Sequence, residues 1–385
     1  MQSYQAETCH TIREIKQQPE LWRKAIEQLS AKKEEIERFL RNIETKHKHA
    51  RVIFTGAGTS AFVGETIYPY IRDAIRKRGW ESECVSTTNL TATPYYYLDK
   101  EIPTIIVSFA RSGNSPESIA AVENSEKIVN DFYEITITCN KDGALAQRVR
   151  NTQQQLVLVL PEEANDKSLA MTSSYSTMMI SALYLFHNNK EVFERETTAT
   201  AEAGKNMLAL SSKSIEKLMK NDFSRLVYLG SGVFEGLSRE SALKLLELSA
   251  GKVATLYDTT LGFRHGPKSY INKDTNIIVY LSNNPYTRKY DVDMLKELYA
   301  YKDRGPIVVL TGIEDQDLVN YCDDVVTLHS DLEDIQLAFA YIIFAQLLAY
   351  EKSLQIGLSP DNPSPTGAIN RVVQGVTIYP YVGEK

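Results

Sequence analysis

RVIFTGAGTS, residues 51–60, is a short run of β-branched and aromatic residues closed by Gly-x-Gly and a Thr-Ser hydroxyl pair, and a variant of it, RLVYLGSGV, returns at 225–233. In both, an arginine, two aliphatic residues and an aromatic one lead into the glycines, Gly56 and Gly58 in the first, Gly230 and Gly232 in the second. Other runs repeat with them. TIIVSFARSG (104–113), EITITCN (134–140) and QLVLVLP (155–161) follow the first; NIIVYLSNN (276–284), PIVVLTG (306–312) and DVVTLHS (324–330) follow the second. The runs starting at 51, 104 and 134 stand at a nearly constant distance from those starting at 225, 276 and 306, so one unit occurs twice in tandem. Short apolar runs alternating with longer segments of helical character predict parallel strands covered by helices. The expected fold is α/β: two tandem doubly wound parallel sheets in three-layer, flavodoxin- or Rossmann-like domains at 49–200 and 214–350, with a helical segment (1–48) before them and a tail (351–385) after.

The helical segment is read from TIREIKQQPELWRKAIEQL, where Ile12, Ile15, Leu21, Trp22, Ile26 and Leu29 recur at mostly helical spacing. Pro19 is expected to start a new helix rather than to lie inside one. The charged run AKKEEIERFLRNIETKHKHA (31–50) reads as a solvated helix face, and its histidines, His47 and His49, as surface residues rather than metal ligands, because no Cys or carboxylate stands at ligand spacing. Over 385 residues the chain is 43% hydrophobic and 24% charged, the profile of a soluble globular protein. A net charge of −6 without a Lys/Arg stripe gives no footprint for nucleic acid. No apolar run approaches the ~20 residues of a membrane span, and MQSYQAETCH is no secretory signal. Cys9, Cys84, Cys139 and Cys322 lie far apart with no CxxC pair, which suits reduced thiols in a cytoplasmic protein.

Ligands of doubly wound sheets bind at the C-terminal ends of the strands, where both Gly-x-Gly turns fall. A dinucleotide is a poor fit to GAGTSA: no acidic residue ends the following strand, ECVSTTNL, and no GK[ST] follows any glycine turn. The Thr59-Ser60 pair suits a phosphomonoester better than a pyrophosphate. FARSGNSPES (109–118) ends its strand in three serines, a glycine, an asparagine and an arginine. Such a loop converges N–H and O–H donors on an oxygen-rich anion, or else is a polar turn capped by Asn114 or Ser115. In RESALKLLELSAGK (239–252), Glu240, Lys244 and Glu247 share one helix face, which by composition alone is a surface ion-pair stripe. GFRHGPKS (262–269) presents His265 from a glycine-flanked turn. An imidazole, ordinarily titrating near ~6.5, can pass a proton in either direction near neutrality.

GAGTS followed by SFARSGNS resembles the sugar isomerase (SIS) domain found in the isomerase half of glucosamine-6-phosphate synthase, and REIKQQP (13–19) is similar to the entry of that half. The resemblance covers essentially the whole chain. Residues 54–62, SFARSGNSPES (108–118), ITCN (137–140), AMTSS (170–174), GFRHGPKS, PYTRKYD (285–291) and NRVVQGV (370–376) resemble more narrowly the AgaS-type proteins of galactosamine catabolism. Those are known as tagatose-6-phosphate ketose/aldose isomerases and are linked to galactosamine-6-phosphate deamination.

The resemblance implies a phosphate pocket of Thr59, Ser60, Arg111, Ser112 and Ser115, with Gly113 allowing close backbone approach. Many relatives carry Ser-Gln-Ser where this chain has Ala110-Arg111-Ser112, so Arg111 either contacts phosphate or points to solvent. Thr172 and Ser173 match the position that reads sugar hydroxyls, unless they cap a helix. Glu247 becomes the base moving a proton between C1 and C2, Lys244 a cation that positions substrate and stabilises the enediolate, and His265 the group that opens the ring. In relatives the His loop crosses a subunit interface, which implies a homodimer or higher oligomer. Gln374 stands where the synthase has a sugar-contacting lysine, and no glutamine-hydrolysing domain is expected, which argues against a synthase. The implied activity is a galactosamine-6-phosphate deaminase/isomerase yielding tagatose-6-phosphate and ammonia, without metal or cofactor. The alternatives are a plain tagatose-6-phosphate ketose/aldose isomerase and a non-catalytic sugar-phosphate-binding regulator. The roles of Tyr286, Arg288 and Asp291, in the second copy where the serine loop stands in the first, are left open.

Overall fold

The computed structural model describes residues 9–148, 153–364, 367, 370–371 and 375–383. In chain order the first part contains α1 (His10–Ser30), α2 (Lys33–Lys46), β1 (Arg51–Thr55), α3 (Thr59–Lys77), β2 (Glu81–Cys84), α4 (Thr87–Ala92), β3 (Thr104–Ala110), α5 (Pro116–Ile128), β4 (Phe132–Thr138), α6 (Ala144–Gln147), β5 (Gln155–Val159) and α7 (Ser173–Phe186). Then follow α8 (Lys190–Lys220), β6 (Arg225–Gly230), α9 (Val233–Leu248), β7 (Ala254–Asp258), β8 (Thr275–Tyr280), α10 (Pro285–Ala300), β9 (Ile307–Thr311), β10 (Asp324–Thr327) and α11 (Asp334–Gln355).

The strands form two five-stranded sheets, ordered β2-β1-β3-β4-β5 and β10-β9-β8-β6-β7. Every pairing is parallel. Read from its second strand, each sheet has the flavodoxin-like order 2-1-3-4-5, so the repeat seen in the runs is a repeat of topology, and each sheet has its switch point between its first and third strands. The turns match too: a Cβ on Gly56 would meet the Ser60 carbonyl carbon at 2.5 Å, and one on Gly230 the Phe234 Cβ at 2.4 Å. Both glycines let the following helix fold back on its strand. The chain divides into two compact units, one holding the first sheet (21–166, 173–194, 367–385) and one the second (1–20, 167–172, 195–366).

In the first-sheet unit, Ile53, Ile106, Ala121, Val122 and Leu145 form one core cluster. Helix α7 is buried along its whole length, and several of its hydroxyls find partners there. Thr66 and Tyr175 share a hydrogen bond of 2.8 Å, and Trp22 Nε1 donates to Ser176 Oγ at 2.9 Å. Lys190, itself buried, donates to the carbonyls of Tyr184, Leu185 and His187 at the C-terminal end of α7. In the second-sheet unit, Val227, Leu229, Phe263, Ile277 and Leu295 make the corresponding core. Helix α11, 22 residues long, is apolar enough to cross a membrane by length and composition, but 89% of its most apolar window is buried inside the protein. It is the second unit's core helix, its apolar run broken in sequence by Gln336, Gln346 and two tyrosines, Tyr341 and Tyr350.

Two expectations are corrected. Pro19 lies inside α1 rather than at the start of a helix. Proline removes the N–H that would donate to the Ile15 carbonyl, and the neighbouring Gln18 supplies the missing donor: its Nε2 donates to that carbonyl at 2.9 Å and to Gln346 Oε1 at 2.7 Å. His47 is not a plain surface residue, since its ring packs edge-on against Tyr133 with Nε2 2.9 Å from the phenol oxygen. The apolar stripe of α1 is buried as its spacing predicts. All four cysteines are free thiols, and burial pushes those of Cys84 and Cys139 far up, that of Cys322 to about 12.

Candidate active site

At the switch point of the first sheet, β1 and β3 run side by side, with Phe54 opposite Val107 and Thr55 opposite Ser108. Each then delivers a polar turn to a helix N-terminus, and Thr59 and Ser60 open α3. Gly113 sits at φ +66°, a left-handed conformation that a side chain at this crowded turn would oppose. The loop is braced by the segment after β4. Asn140 Nδ2 donates to the Ser112 carbonyl at 2.8 Å, the Leu145 N–H donates to the Gly113 carbonyl at 3.1 Å, and the Ala144 N–H donates to Asn114 Oδ1 at 2.9 Å. Asn114 therefore braces the loop instead of capping α5. Ser115 occupies the N-cap position of α5 without a side-chain capping bond. Two helix N-termini and the Ser112 hydroxyl, half-buried, thus converge on one end of the sheet, an arrangement suited to an oxyanion.

Arg111 does not point to solvent. Its side chain is buried and Nη2 donates to the Arg371 carbonyl at 3.1 Å, so it holds the backbone of the C-terminal tail. The Arg371 side chain in turn reaches Asn165 Oδ1 at 2.6 Å. Gln374 lies outside the described residues. Thr172 and Ser173 are fully buried, and the cap of α7 is Asp166, which accepts from the Ser173 and Ser174 N–H groups at 3.0 and 2.9 Å. Sequence reasoning missed Asn140 and Asp166. An Asn or Asp directly after an apolar strand, or shortly before a serine-rich helix start, is the signal that could have found them.

In the second-sheet unit, the three charges on α9 are not a surface stripe. Glu240 and Lys244 are completely buried, and Lys244 Nζ lies 2.5 Å from Glu247 Oε2 and 3.4 Å from Glu240 Oε1. Of the three side chains only that of Glu247 reaches solvent, with 23% of its surface accessible. An ammonium set between two carboxylates holds one of them at the surface in a single orientation, which is what a proton-transferring base requires. His265 follows a 3-10 turn, Gly262–Arg264, and is exposed.

The counterpart of the serine loop in the second sheet is closed by its own carboxylates. Asp291, fully buried, accepts from Ser231 Oγ at 2.6 Å, Thr260 Oγ1 at 2.7 Å and the Ser282 N–H at 3.2 Å. Asp334 accepts from Ser282 Oγ at 2.5 Å and the Asn283 N–H at 2.7 Å. Burial pushes both carboxyls up, and these hydrogen bonds oppose the shift. Asn284 caps α10 by accepting from the Tyr286 and Thr287 N–H groups. Arg288 is spent on the Thr311 hydroxyl and Asp315, and Tyr286 is exposed. The Ser231, Thr260 and Ser282 hydroxyls at the second sheet's switch point are thus consumed by these two carboxylates. Among the described residues no three His, Cys, Asp or Glu side chains gather as a metal site would require.

A tandem pair of flavodoxin-ordered units, one with a serine-rich loop between two helix N-termini and one with a carboxylate–ammonium array, defines a sugar-phosphate-handling class, and the SIS domain model matches residues 46–188 and 219–354. The chain belongs to the SIS domain family. It is 40% identical to the D-galactosamine-6-phosphate deaminase AgaS of Shewanella sp. (strain ANA-3), over 97% of this chain and 92% of that one. Among solved structures, the tagatose-6-phosphate ketose/aldose isomerase of Escherichia coli superposes with a TM-score of 0.88 at 36% identity, covering 98% of both chains. A Clostridium novyi NT protein provisionally named for the same activity gives 0.92 at 41% identity, covering 97% of this chain and 95% of that one.

Proposed function

We propose that this chain is a galactosamine-6-phosphate deaminase/isomerase, releasing tagatose-6-phosphate and ammonia. The observation that carries the proposal is the α9 array, in which buried Lys244 holds the solvent-reaching Glu247 in a chain 40% identical to an AgaS deaminase. In this reading Ser112, Ser115, Thr59 and Ser60, with the backbone at Gly113, hold the phosphate, and Thr172 and Ser173 read sugar hydroxyls. His265 passes the proton between ring oxygen and O1 that opens the pyranose. Glu247 removes the C2 proton of the open-chain aldehyde and returns it at C1, while Lys244 offsets the charge that builds on the enediolate-like intermediate. The product of that transfer is a ketimine at C2, and water replaces its nitrogen to give the ketose and ammonia. Arg111, whose Nη2 holds the tail carbonyl of Arg371, belongs to the same phosphate-binding group through its remaining donors. We read the protein as a cytoplasmic homodimer or higher oligomer whose exposed His265 loop serves a second copy, and the boundaries 1–48, 49–200, 214–350 and 351–385 as its functional segments.

A second reading, plain ketose/aldose isomerisation, is favoured by the name of the E. coli structure. It uses the same proton transfer without an amine. The test is ammonia and ketose release measured together from galactosamine-6-phosphate, with glucosamine-6-phosphate as control. Equal release of both products from the galacto substrate establishes the deaminase. Ketose from a non-aminated aldose phosphate, without ammonia from either amino sugar, establishes the isomerase, and silence on all of them returns the chain to a sugar-phosphate-binding role. Glu247→Gln is expected to lower turnover by about 10²- to 10⁴-fold with the fold intact. Retained turnover would remove Glu247 from the base position.

A further inference from the structure

Arg264, which precedes His265, and Lys268, three residues after it, are tied to one helix. Arg264 Nε donates to Glu297 Oε2 at 2.7 Å, and Lys268 Nζ pairs with the other oxygen, Oε1. Arg264 also reaches Asp293 Oδ2 at 2.8 Å, one turn earlier on α10. The pairs are partly shielded, with 26% of the Arg264 side chain accessible, 37% of Lys268 and 35% of Glu297. Phe263 is fully buried in the core, and Gly266 sits at φ +120°, a conformation open essentially to glycine alone. The loop is thus fixed by a core anchor and by one carboxylate bonded on both sides of the histidine, while His265 itself is exposed.

We propose that Glu297 is the positioning residue for His265, its two oxygens fixing Arg264 and Lys268 so that the imidazole is presented in one orientation. The assignment rests on the reading of His265 as the ring-opening group. Exposed ion pairs usually contribute little to stability, and Glu297 is expected to matter in a different way. Its loss frees a loop, and a small misplacement of a proton-transferring group is costly to turnover.

The test measures kcat, KM and thermal midpoint for Glu297→Gln in the wild-type and His265→Asn backgrounds, with galactosamine-6-phosphate as substrate. The expected result is a kcat about 10- to 100-fold lower. KM is expected to hold within about twofold, with no further loss of kcat in the His265→Asn background. Glu216→Gln, which breaks the exposed pair with Lys220, is the control that changes neither constant. An unchanged kcat in Glu297→Gln overturns the proposal, as does an equal loss in both backgrounds. Should Glu297→Gln lower the melting point sharply, Lys268→Met removes one bridge from the loop side and must reproduce the kcat loss. His265→Asn with wild-type turnover refutes the reading of His265 itself, a result separable from failure of the Glu297 variant alone.

Discussion

At the scale of single residues, the chemistry of Lys244 depends on where its neighbours are buried. An ammonium removed from water is tolerated only beside counter-charges, and Lys244 has two, at 2.5 and 3.4 Å. Lys244→Met deprives the buried Glu240 of that charge and is expected to cost about 3–5 kcal/mol in urea unfolding. Adding Glu240→Gln should recover much of the loss, whereas an undiminished loss in the double variant would mean the cost is one of packing. Ser112 belongs to the same scale. Its hydroxyl is offered to a charged ligand, and a hydrogen bond to a charged group contributes about 1.5–3 kcal/mol, so Ser112→Ala should raise KM by about 10- to 100-fold. A KM that does not move would take Ser112 out of the phosphate site. The spacing of Glu240, Lys244 and Glu247 was legible in the sequence, but their burial was not, because a Glu-Lys-Glu stripe reads the same whether a core helix or water covers it.

At the scale of elements, the eight apolar runs read as strands are strands, and for six of them the reason is burial on both sheet faces, which demands continuous β-branched sequence. Strands β2 and β7 carry weaker signals, β7 going unread and β2 seen only as the strand after α3. Both are half-exposed edge strands, and ESEC and ATLYD lack the aliphatic run that the other two edge strands, β5 (QLVLV) and β10 (DVVT), retain. Helix α1 shows the opposite failure: a local rule was overridden by a tertiary arrangement. Gln18 offers its amide to the carbonyl that Pro19 leaves without its usual donor, and Gln346 holds that amide in place. Gln18→Leu is therefore expected to lower stability by about 1–3 kcal/mol. Pro19→Ala in that background restores a backbone donor and should return part of the loss, as thermal melts of the pair would show.

At the scale of the whole molecule, one carboxylate joins the two extremes of the described chain in the second-sheet unit. Asp361 accepts from the His10 N–H at 2.9 Å, the Thr11 N–H at 2.8 Å, Thr11 Oγ1 at 2.7 Å and Cys9 Sγ at 3.1 Å. Burial pushes its carboxyl up, but these donors outweigh burial and hold it below the usual range. Between that lowered value and the ordinary ~3.9, the unfolded chain binds more protons than the folded one, so stability rises with pH across the window. Its contribution is complete above ~3.9 and is lost as pH falls through the folded value. Asp361→Asn should thus be less stable than wild type at neutral pH, with the two converging in acid. A gap in urea midpoint that stays constant from neutral pH into strong acid would count against this role.

The sequence by itself determined the duplicated parallel architecture, because strands buried on both faces and glycines required at strand ends leave few alternatives in residue type. It determined the candidate chemistry as well, since serine-rich turns, a charged helix face and a glycine-flanked histidine are compositional facts. Tertiary structure alone decided which distant groups meet at the two equivalent strand ends. Asp291 and Asp334 close the second from positions 9 and 52 residues beyond Ser282, and Arg111 reaches a tail carbonyl 260 residues away. A hydrogen bond stabilises only through the distance between two atoms, and no local pattern in the chain records which distant carboxylate or carbonyl will come within reach of its donor.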